Sequence, residues 1–105
     1  MVKVILESPY AGDIETNLRY ARACMKDSLE RGEAPFASHL LYTQMLDDSD
    51  PIEREWGIEA GLIWGKAADI TVVYTDLGIS KGMQYGIAAA GDANRPIEYR
   101  SIDFI

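Results

Sequence analysis

The chain has 105 residues, of which 48% are hydrophobic and 26% charged, a composition typical of one folded domain and not of a disordered chain. It contains 10 Lys and Arg residues against 17 Asp and Glu residues, which gives a formal net charge of -7 at pH 7. This charge argues against binding to duplex nucleic acid or to an anionic membrane, both of which need clustered basic side chains, but not against a small anion held by backbone N–H groups. We therefore expect a single domain over residues 1–105.

The first predicted elements are a buried strand and a long helix. Val2–Glu7 is short, rich in β-branched residues and followed by the turn-forming pair Ser8-Pro9, which predicts a strand. Asp13 is a suitable N-cap for the next helix, and Gly32 is a suitable stop. Apolar residues at helical spacing predict its buried stripe: Ile14, Leu18, Ala21, Met25 and Leu29.

The rest of the chain continues the alternation of strands and helices. Its predicted elements are a strand at Ala34–Ala37, a helical segment at His39–Leu46 capped by Ser38, a helix ending at Asp69, a strand at Ile70–Thr75, a helix at Lys81–Ala90 capped by Ser80 and a strand at Pro96–Ile102. The third helix has the clearest start, with Asp50 as N-cap, Pro51 at the first position and Glu53 at capping-box spacing. Its apolar residues predict a buried stripe: Ile52, Trp56, Ala60, Ile63 and Ala67. Phe104 and Ile105 are predicted to pack as a tail.

This order of elements predicts a doubly wound α/β fold of the flavodoxin-like or Rossmann-like type. Strands that alternate with helices pair in parallel through right-handed crossovers, so we expect four to five parallel strands with the first one central and helices on both faces. Ligands of such sheets bind outside the carboxyl ends of the strands. Three loops are predicted to meet there: Ser8–Gly12, Phe36–His39 and Asp76–Gly82.

The first two loops supply candidate ligand-binding groups. Ser8 and Tyr10, on either side of Pro9, carry hydroxyl groups, and Gly12 would let a ligand approach the backbone closely. An ordinary strand-to-helix turn would have the same composition. His39 is the single histidine, and a ligand contact or a partly buried structural role would both suit its apolar surroundings.

The third loop begins at Asp76 and ends in a candidate anion site. Ser80 precedes a predicted helix, whose free N–H groups and dipole favour phosphate or carboxylate, and Gly82 and Met83 follow it. The alternative is a capped helix without a ligand. Neither a Walker motif nor Gly-x-Gly-x-x-Gly is present, so the sequence does not predict a dinucleotide cofactor.

Other classes of site and location are disfavoured by composition. The single cysteine, Cys24, excludes an intramolecular disulfide, and a single histidine disfavours an all-protein zinc site. We expect no metal and no cofactor. No apolar run reaches the ~18 residues of a membrane span, and the first residues lack a signal-peptide pattern. We expect a cytoplasmic protein, in a cell or in an infected host.

Several segments together resemble the nucleoside 2-deoxyribosyltransferase-like superfamily. Ile5–Gly12, with Asn17 and Ala21, resembles its first strand and loop. Ala34–Leu40 and Leu46–Asp48 resemble the second unit of a small, uncharacterised branch found in phages and bacteria, and Ala68–Met83 resembles the third unit. The resemblance covers nearly the whole chain and implies the same doubly wound fold.

The resemblance also implies a reaction, but this chain lacks the nucleophile that the reaction uses. Members of the superfamily cleave or transfer the N-glycosidic bond of deoxynucleosides and deoxynucleotides through a glutamate nucleophile. The matching position, four residues beyond Gly82, is Gly86. Nucleotide-hydrolysing relatives have a serine where this chain has Ser80, which implies contact with a 5′-phosphate. Gly86 is expected to leave space beside the sugar site.

Three functions remain open at this point. The favoured one is a nucleotide-binding protein without a matched nucleophile, such as a phage sponge or sensor of a nucleotide-derived molecule, with little or no turnover. The second is an active N-glycosidase or deoxyribosyltransferase with a carboxylate displaced to Glu59, Asp76 or a neighbouring subunit. The third is a structural module with a vestigial pocket. A homodimer or larger homo-oligomer is expected, with apolar contacts from aromatic residues: Tyr20, Tyr42, Trp56 and Trp64.

Overall fold

The computed structural model describes residues 1–104. Its elements are β1 (Lys3–Glu7), α1 (Ile14–Glu30), β2 (Ala34–Phe36), α2 (Ser38–Leu41) with a 3-10 turn (Tyr42–Gln44), α3 (Pro51–Gly65), β3 (Ile70–Tyr74), α4 (Lys81–Asp92) and β4 (Ile97–Arg100). The predicted order of strands and helices is confirmed. The second helix is shorter than predicted, and the third ends at Gly65 instead of Asp69. In residues 1–104, no helix is long and apolar enough to cross a membrane.

The four strands form one parallel sheet in the order β2-β1-β3-β4. This confirms the predicted α/β fold with β1 in the interior of the sheet. From β1 the chain first moves to β2 on one side, and then crosses to β3 on the other side. The carboxyl ends of β1 and β3 therefore form the switch point, where open α/β sheets bind ligands.

Polar side chains start three of the helices. Asp13, Asp50 and Ser80 each accept a hydrogen bond from a backbone N–H in the first turn of the helix that follows, as predicted. The start of α2 differs from the prediction. Ala37 occupies the N-cap position, and Ser38 is the first helical residue and makes no cap hydrogen bond.

Side chains of β1 alternate between two different environments. Val4 and Leu6 belong to the main hydrophobic core, together with residues of α1. Ile5 and Glu7 point to the opposite face of the sheet, because adjacent residues of a strand point to opposite sides. There the carboxyl group of Glu7 lies against the backbone of α4 at Gly86.

The buried face of α1 differs from the predicted stripe. Ile14 and Leu29 are exposed. Five residues of α1 are buried: Asn17, Tyr20, Ala21, Cys24 and Ser28. Two of them, Asn17 and Ser28, are polar. Asn17 is satisfied by donating to two carbonyl oxygens of the preceding loop, and Ser28 donates to the Glu33 carboxylate. Hydrogen bonding makes these polar residues acceptable in the core, so hydrophobicity alone predicted only part of the buried face, including Ala21 and Met25.

Large side chains of α3 point to solvent, which contradicts the predicted buried stripe. The exposed apolar residues include Ile52, Trp56, Ile63 and Trp64. The face that packs inward instead carries Gly57, Gly61 and Gly65, spaced four residues apart. A Cβ at Gly61 would lie 2.7 Å from the Ser38 hydroxyl oxygen. The close approach of α3 to α2 and to the sheet thus requires glycines on the packed face, whereas the sequence pattern predicted that the face with Trp56 and Ile63 packs inward.

The C-terminal tail packs beside α1. The Phe104 ring contacts the Tyr20 ring edge-on, with 4.9 Å between centroids. The backbone N–H groups of Ile102 and Phe104 both donate to the Asp76 carboxylate. The tail prediction is confirmed for Phe104, whereas Ile105 lies outside the described residues.

Candidate functional site

A cavity of about 210 Å³ lies at the switch point of the sheet. Its walls come from the loop after β1, from α2, from the start of α3 and from the N-terminus of α4. Six of the nine predicted site residues line it: Ser8, Tyr10, His39, Ser80, Gly82 and Met83. Pro9, Gly12 and Asp76 lie outside its lining. The three predicted loops therefore converge, and the part that each residue plays in ligand binding stays a prediction.

Ser8 and His39 are joined by a hydrogen bond between the loop after β1 and α2. The Ser8 hydroxyl oxygen lies 2.7 Å from Nε2 of His39. Burial lowers the pKa of His39 to about 4, so its ring is neutral at physiological pH. An imidazole with this pKa is a weak base, and the pair is therefore suited to fixing the cavity wall more than to activating a serine nucleophile.

The N-terminus of α4 forms the opposite wall of the cavity. The Ser80 hydroxyl accepts a hydrogen bond from Met83 N–H at 3.3 Å, and the Ser80 N–H donates to the Met83 sulfur at 3.3 Å. At a helix start the first N–H groups have no intrahelical acceptor, which here concerns Lys81 and Gly82. A Cβ at Gly82 would meet only the Ser80 hydroxyl oxygen, at 3.9 Å. This helix end is therefore open to an anionic ligand group.

Glu7 is a cavity residue that the sequence analysis missed. It is the last residue of β1 and lines both the main cavity and a second cavity of about 70 Å³ between the sheet, α3 and α4. Within residues 1–104, no group donates a hydrogen bond to its carboxyl. Burial raises the pKa of Glu7 to about 8, against the opposing charge of Arg95. The carboxyl is therefore mostly protonated at neutral pH. A glutamate ending a buried strand, directly before a candidate loop, was the signal available in the sequence.

The space beside Gly86 is occupied, contrary to expectation. A Cβ at position 86 would overlap the carboxyl group of Glu7. The residue that fills this space therefore comes from the strand and not from the helix. Glu59, one of the carboxylates considered from the sequence, is exposed on α3 and lines neither cavity.

Asp76, the third predicted residue outside the cavity, anchors the C-terminal tail. Its carboxylate accepts hydrogen bonds from the Tyr20 hydroxyl at 2.7 Å and from the N–H groups of Ile102 and Phe104, each at 3.0 Å. Burial alone would raise the pKa of Asp76, but the donors Phe104, Tyr20 and Ile102 outweigh it and hold the pKa well below its usual range. These donors lie far away in the sequence, so no local pattern indicated this role.

The cavity residues do not suggest a metal centre. In the described range, 1–104, no group of three or more His, Cys, Asp or Glu side chains is placed to hold a metal ion. The polar groups that line the cavity are hydroxyls, backbone N–H groups, one neutral imidazole, the Glu7 carboxyl and four charged side chains: Asp48, Glu53, Arg54 and Lys81. This set is suited to hydrogen bonding and proton transfer with an organic ligand.

Comparison with known proteins identifies a structure with a similar fold and the sequence family of this chain. The structure is similar to that of the 2-deoxyribosyltransferase from the psychrotolerant bacterium Bacillus psychrosaccharolyticus, with a TM-score of 0.75 and 19% sequence identity over 98% of this chain and 76% of that chain. The molecule is thus an α/β domain with a 2-deoxyribosyltransferase-like fold. Residues 2–100 match the family described as "Domain of unknown function (DUF7768)", and the chain belongs to that family. No curated protein sequence matches it.

Proposed function

We propose that this protein binds a nucleotide, or a closely related phosphorylated nucleoside, in the cavity at the switch point. The observation that carries the proposal is the convergence of three loops on one cavity that also contains the N-terminus of α4. The enzyme with a similar fold is named for its action on 2-deoxyribosyl groups, which supports a nucleoside as the ligand class. The resemblance of the sequence motifs points to the same class.

The phosphate would bind at the N-terminus of α4. Lys81 adds a cationic side chain beside the free backbone N–H groups, and Arg54 lies in the wall contributed by α3. The negative net charge of the chain does not oppose such a site, because helix dipole and side-chain charges act within a few ångströms. Tyr42, Leu46 and Ile58 line the cavity as well and would contact the nucleobase.

Sequestering or sensing a nucleotide-derived molecule is the role that such binding would serve. A phage-encoded sponge is one form of it, and rests on the sequence resemblance alone. A homo-oligomer is also part of this proposal, since Trp56 and Trp64 are exposed on α3. Tyr20 is excluded from such a contact because it is fully buried.

Ligand-dependent thermal stability tests the proposal. Each of the four common 2′-deoxynucleoside 5′-monophosphates would be compared with its unphosphorylated nucleoside and with inorganic phosphate. A ligand that binds only the folded state at 100 times its Kd adds about 2.7 kcal/mol of stability, which raises Tm by several degrees. We expect the largest rise with at least one monophosphate.

Two lysine variants provide the control. Lys81→Ala removes a cation that lines the cavity and should reduce the rise in Tm with the monophosphate. Lys66→Ala removes an exposed cation at the C-terminus of α3, outside the lining of the cavity, and should leave the rise in Tm unchanged. If no monophosphate raises Tm at millimolar concentration, the proposed function is wrong.

A further inference from the structure

The second cavity, between the sheet, α3 and α4, has no part in the proposed nucleotide site. Its volume is about 70 Å³. A buried water needs about 10–15 Å³ of such space, so the cavity suits a molecule of roughly four or five heavy atoms. Four of its lining side chains are apolar and four are polar: Ile5, Phe36, Ile58 and Leu62, and Glu7, Ser38, Tyr85 and Arg95. An apolar lining with a few polar groups is typical of a site for a small organic molecule.

Arg95 brings a positive charge to the wall of the second cavity. Its Nε donates to the Thr71 hydroxyl at 2.9 Å, and its Nη1 donates to the Gly65 carbonyl oxygen at 2.8 Å. These two bonds fix the guanidinium group, whereas Nη2 donates no hydrogen bond within residues 1–104. In the same part of the chain Arg95 forms no ion pair, although its side chain is half-buried. A half-buried cation without a counter-charge favours an anion in the space beside it.

Glu7 lines the same cavity from the end of β1. Burial raises the pKa of its carboxyl to about 8, and the charge of Arg95 opposes this rise. Arg95 therefore lies close enough to act on the carboxyl without forming an ion pair with it. A protonated carboxyl donates a hydrogen bond to an anionic oxygen, and such charge-assisted bonds are short and strong. An anion between the two side chains would accept hydrogen bonds from both.

We propose that the second cavity is a binding site for a small monocarboxylate, held between the Arg95 guanidinium and the Glu7 carboxyl. One negative charge on the ligand balances the charge of Arg95 while Glu7 stays protonated, so a monoanion suits the site better than a dianion. A short alkyl group on the ligand would contact the apolar walls. The glycines of the helices make the room, since a Cβ at Gly65 would lie 3.4 Å from Nη2 of Arg95 and one at Gly86 would overlap Glu7. This inference goes beyond the proposed nucleotide binding and does not require it.

Thermal stability in acetate tests this inference, with acetamide as an uncharged molecule of the same shape. At tens of millimolar and constant ionic strength, acetate should raise the Tm of the native protein by several degrees more than acetamide, because it binds only the folded state. Benzoate, whose ring exceeds the cavity, should raise Tm no more than acetamide. The rise with acetate should be lost in Arg95→Gln. Arg22→Gln, at an exposed arginine on α1, should keep it.

The pH dependence of the acetate effect tests the part played by Glu7. The rise in Tm should shrink as the pH goes from about 7 to about 9, because ionised Glu7 repels the anion. Glu7→Gln still donates a hydrogen bond but cannot ionise, so it should keep the rise at both pH values. Other titratable and charged groups line the two cavities around Glu7: His39 on α2, Asp48, Glu53 and Arg54 in the loop before α3 and in α3, and Lys81 and Tyr85 on α4. Glu7→Gln changes none of these, so a pH dependence that this variant lacks belongs to Glu7.

Several results would overturn the inference. Equal rises in Tm with acetate and acetamide would show that the site does not recognise the charge. A rise that persists in Arg95→Gln would place the anion elsewhere, at the N-terminus of α4 if Lys81→Ala removes it. If Arg95→Gln does not fold without the bonds to Thr71 and Gly65, the comparison with Glu7→Gln decides, and a native rise that is equal at both pH values overturns the inference. None of these measurements involves a nucleotide, so failure of the proposed function would leave this inference intact.

Discussion

Two carboxyl groups near the same edge of the sheet show how local contacts set a charge. Glu7 is half-buried and its carboxyl accepts no hydrogen bond from residues 1–104, so desolvation raises its pKa to about 8. Asp76, two residues after β3, receives hydrogen bonds from Tyr20 and from the C-terminal tail, so its pKa falls instead. Because the two environments shift the pKa values in opposite directions, one acid is protonated and the other is ionised at pH 7. The protonated acid, Glu7, lines the cavity, and the ionised acid, Asp76, anchors the C-terminal tail.

The stability of the protein should therefore depend on pH through Glu7. Between its ordinary value of 4.5 and about 8, the folded protein keeps the Glu7 proton whereas the unfolded chain has lost it. Unfolding is then favoured by rising pH, by at most about 1.4 kcal/mol per pH unit, and the effect levels off above pH 8. We expect Glu7→Gln to gain in Tm relative to the native protein as the pH rises from 5 to 8. Glu59→Gln should show no such trend, and a Glu7→Gln difference that is constant with pH would contradict the burial of this carboxyl.

At the scale of elements, the sequence determines which segments form strands and helices better than it determines which helix faces pack. Start signals at Asp13, Asp50 and Ser80 are local, and all three were predicted correctly. The parallel sheet with β1 in its interior also followed from the alternation of elements. The packed face of α3 was not predictable from hydrophobicity, because close approach of this helix selects glycines such as Gly61 and Gly65. The pairing of Glu7 with Gly86 joins two elements far apart in the sequence, so no spacing rule indicates it.

The contact between β1 and α4 predicts that the effect of Gly86→Ala on stability changes sign when the Glu7 side chain is removed. Gly86→Ala adds a Cβ that overlaps the Glu7 carboxyl, so this side chain must move and we expect the variant to lose about 1–3 kcal/mol of stability. In a Glu7→Ala background the space is free, and the same change should stabilise α4 by up to about 1 kcal/mol, since Ala is a better helix former than Gly. Urea unfolding of the native protein, both single variants and the double variant gives the coupling energy. Additive effects would show that the two residues do not share this space.

Considered as a whole, the molecule has one well-packed face of the sheet and one face with cavities. The core under α1 contains fully buried large side chains, such as Tyr20, Leu6 and Tyr74. The other face is covered by α3 and α4, whose inward glycines leave the two cavities beside Glu7. A closely packed interior excludes ligands, so the binding site lies on the loosely filled face. The same packing that places glycines inward on α3 leaves its large side chains in solvent.

That outer face of α3 should be the contact between copies of this chain. Trp56, Ile63 and Trp64 are 57%, 61% and 59% exposed, and large apolar groups clustered on one helix mark an interaction surface. We expect light scattering to give a molar mass that is a multiple of 11.7 kDa, and Trp56→Glu or Ile63→Lys to reduce it to that of one chain. Leu29→Glu, at a comparably exposed apolar residue on α1, should leave the assembly unchanged.

Tm of the native protein should rise with protein concentration, because association stabilises the folded state by mass action, and Tm of the α3 variants should not. A mass of 11.7 kDa for the native protein at every concentration would contradict the assembly, and would leave the exposed face of α3 to a different partner.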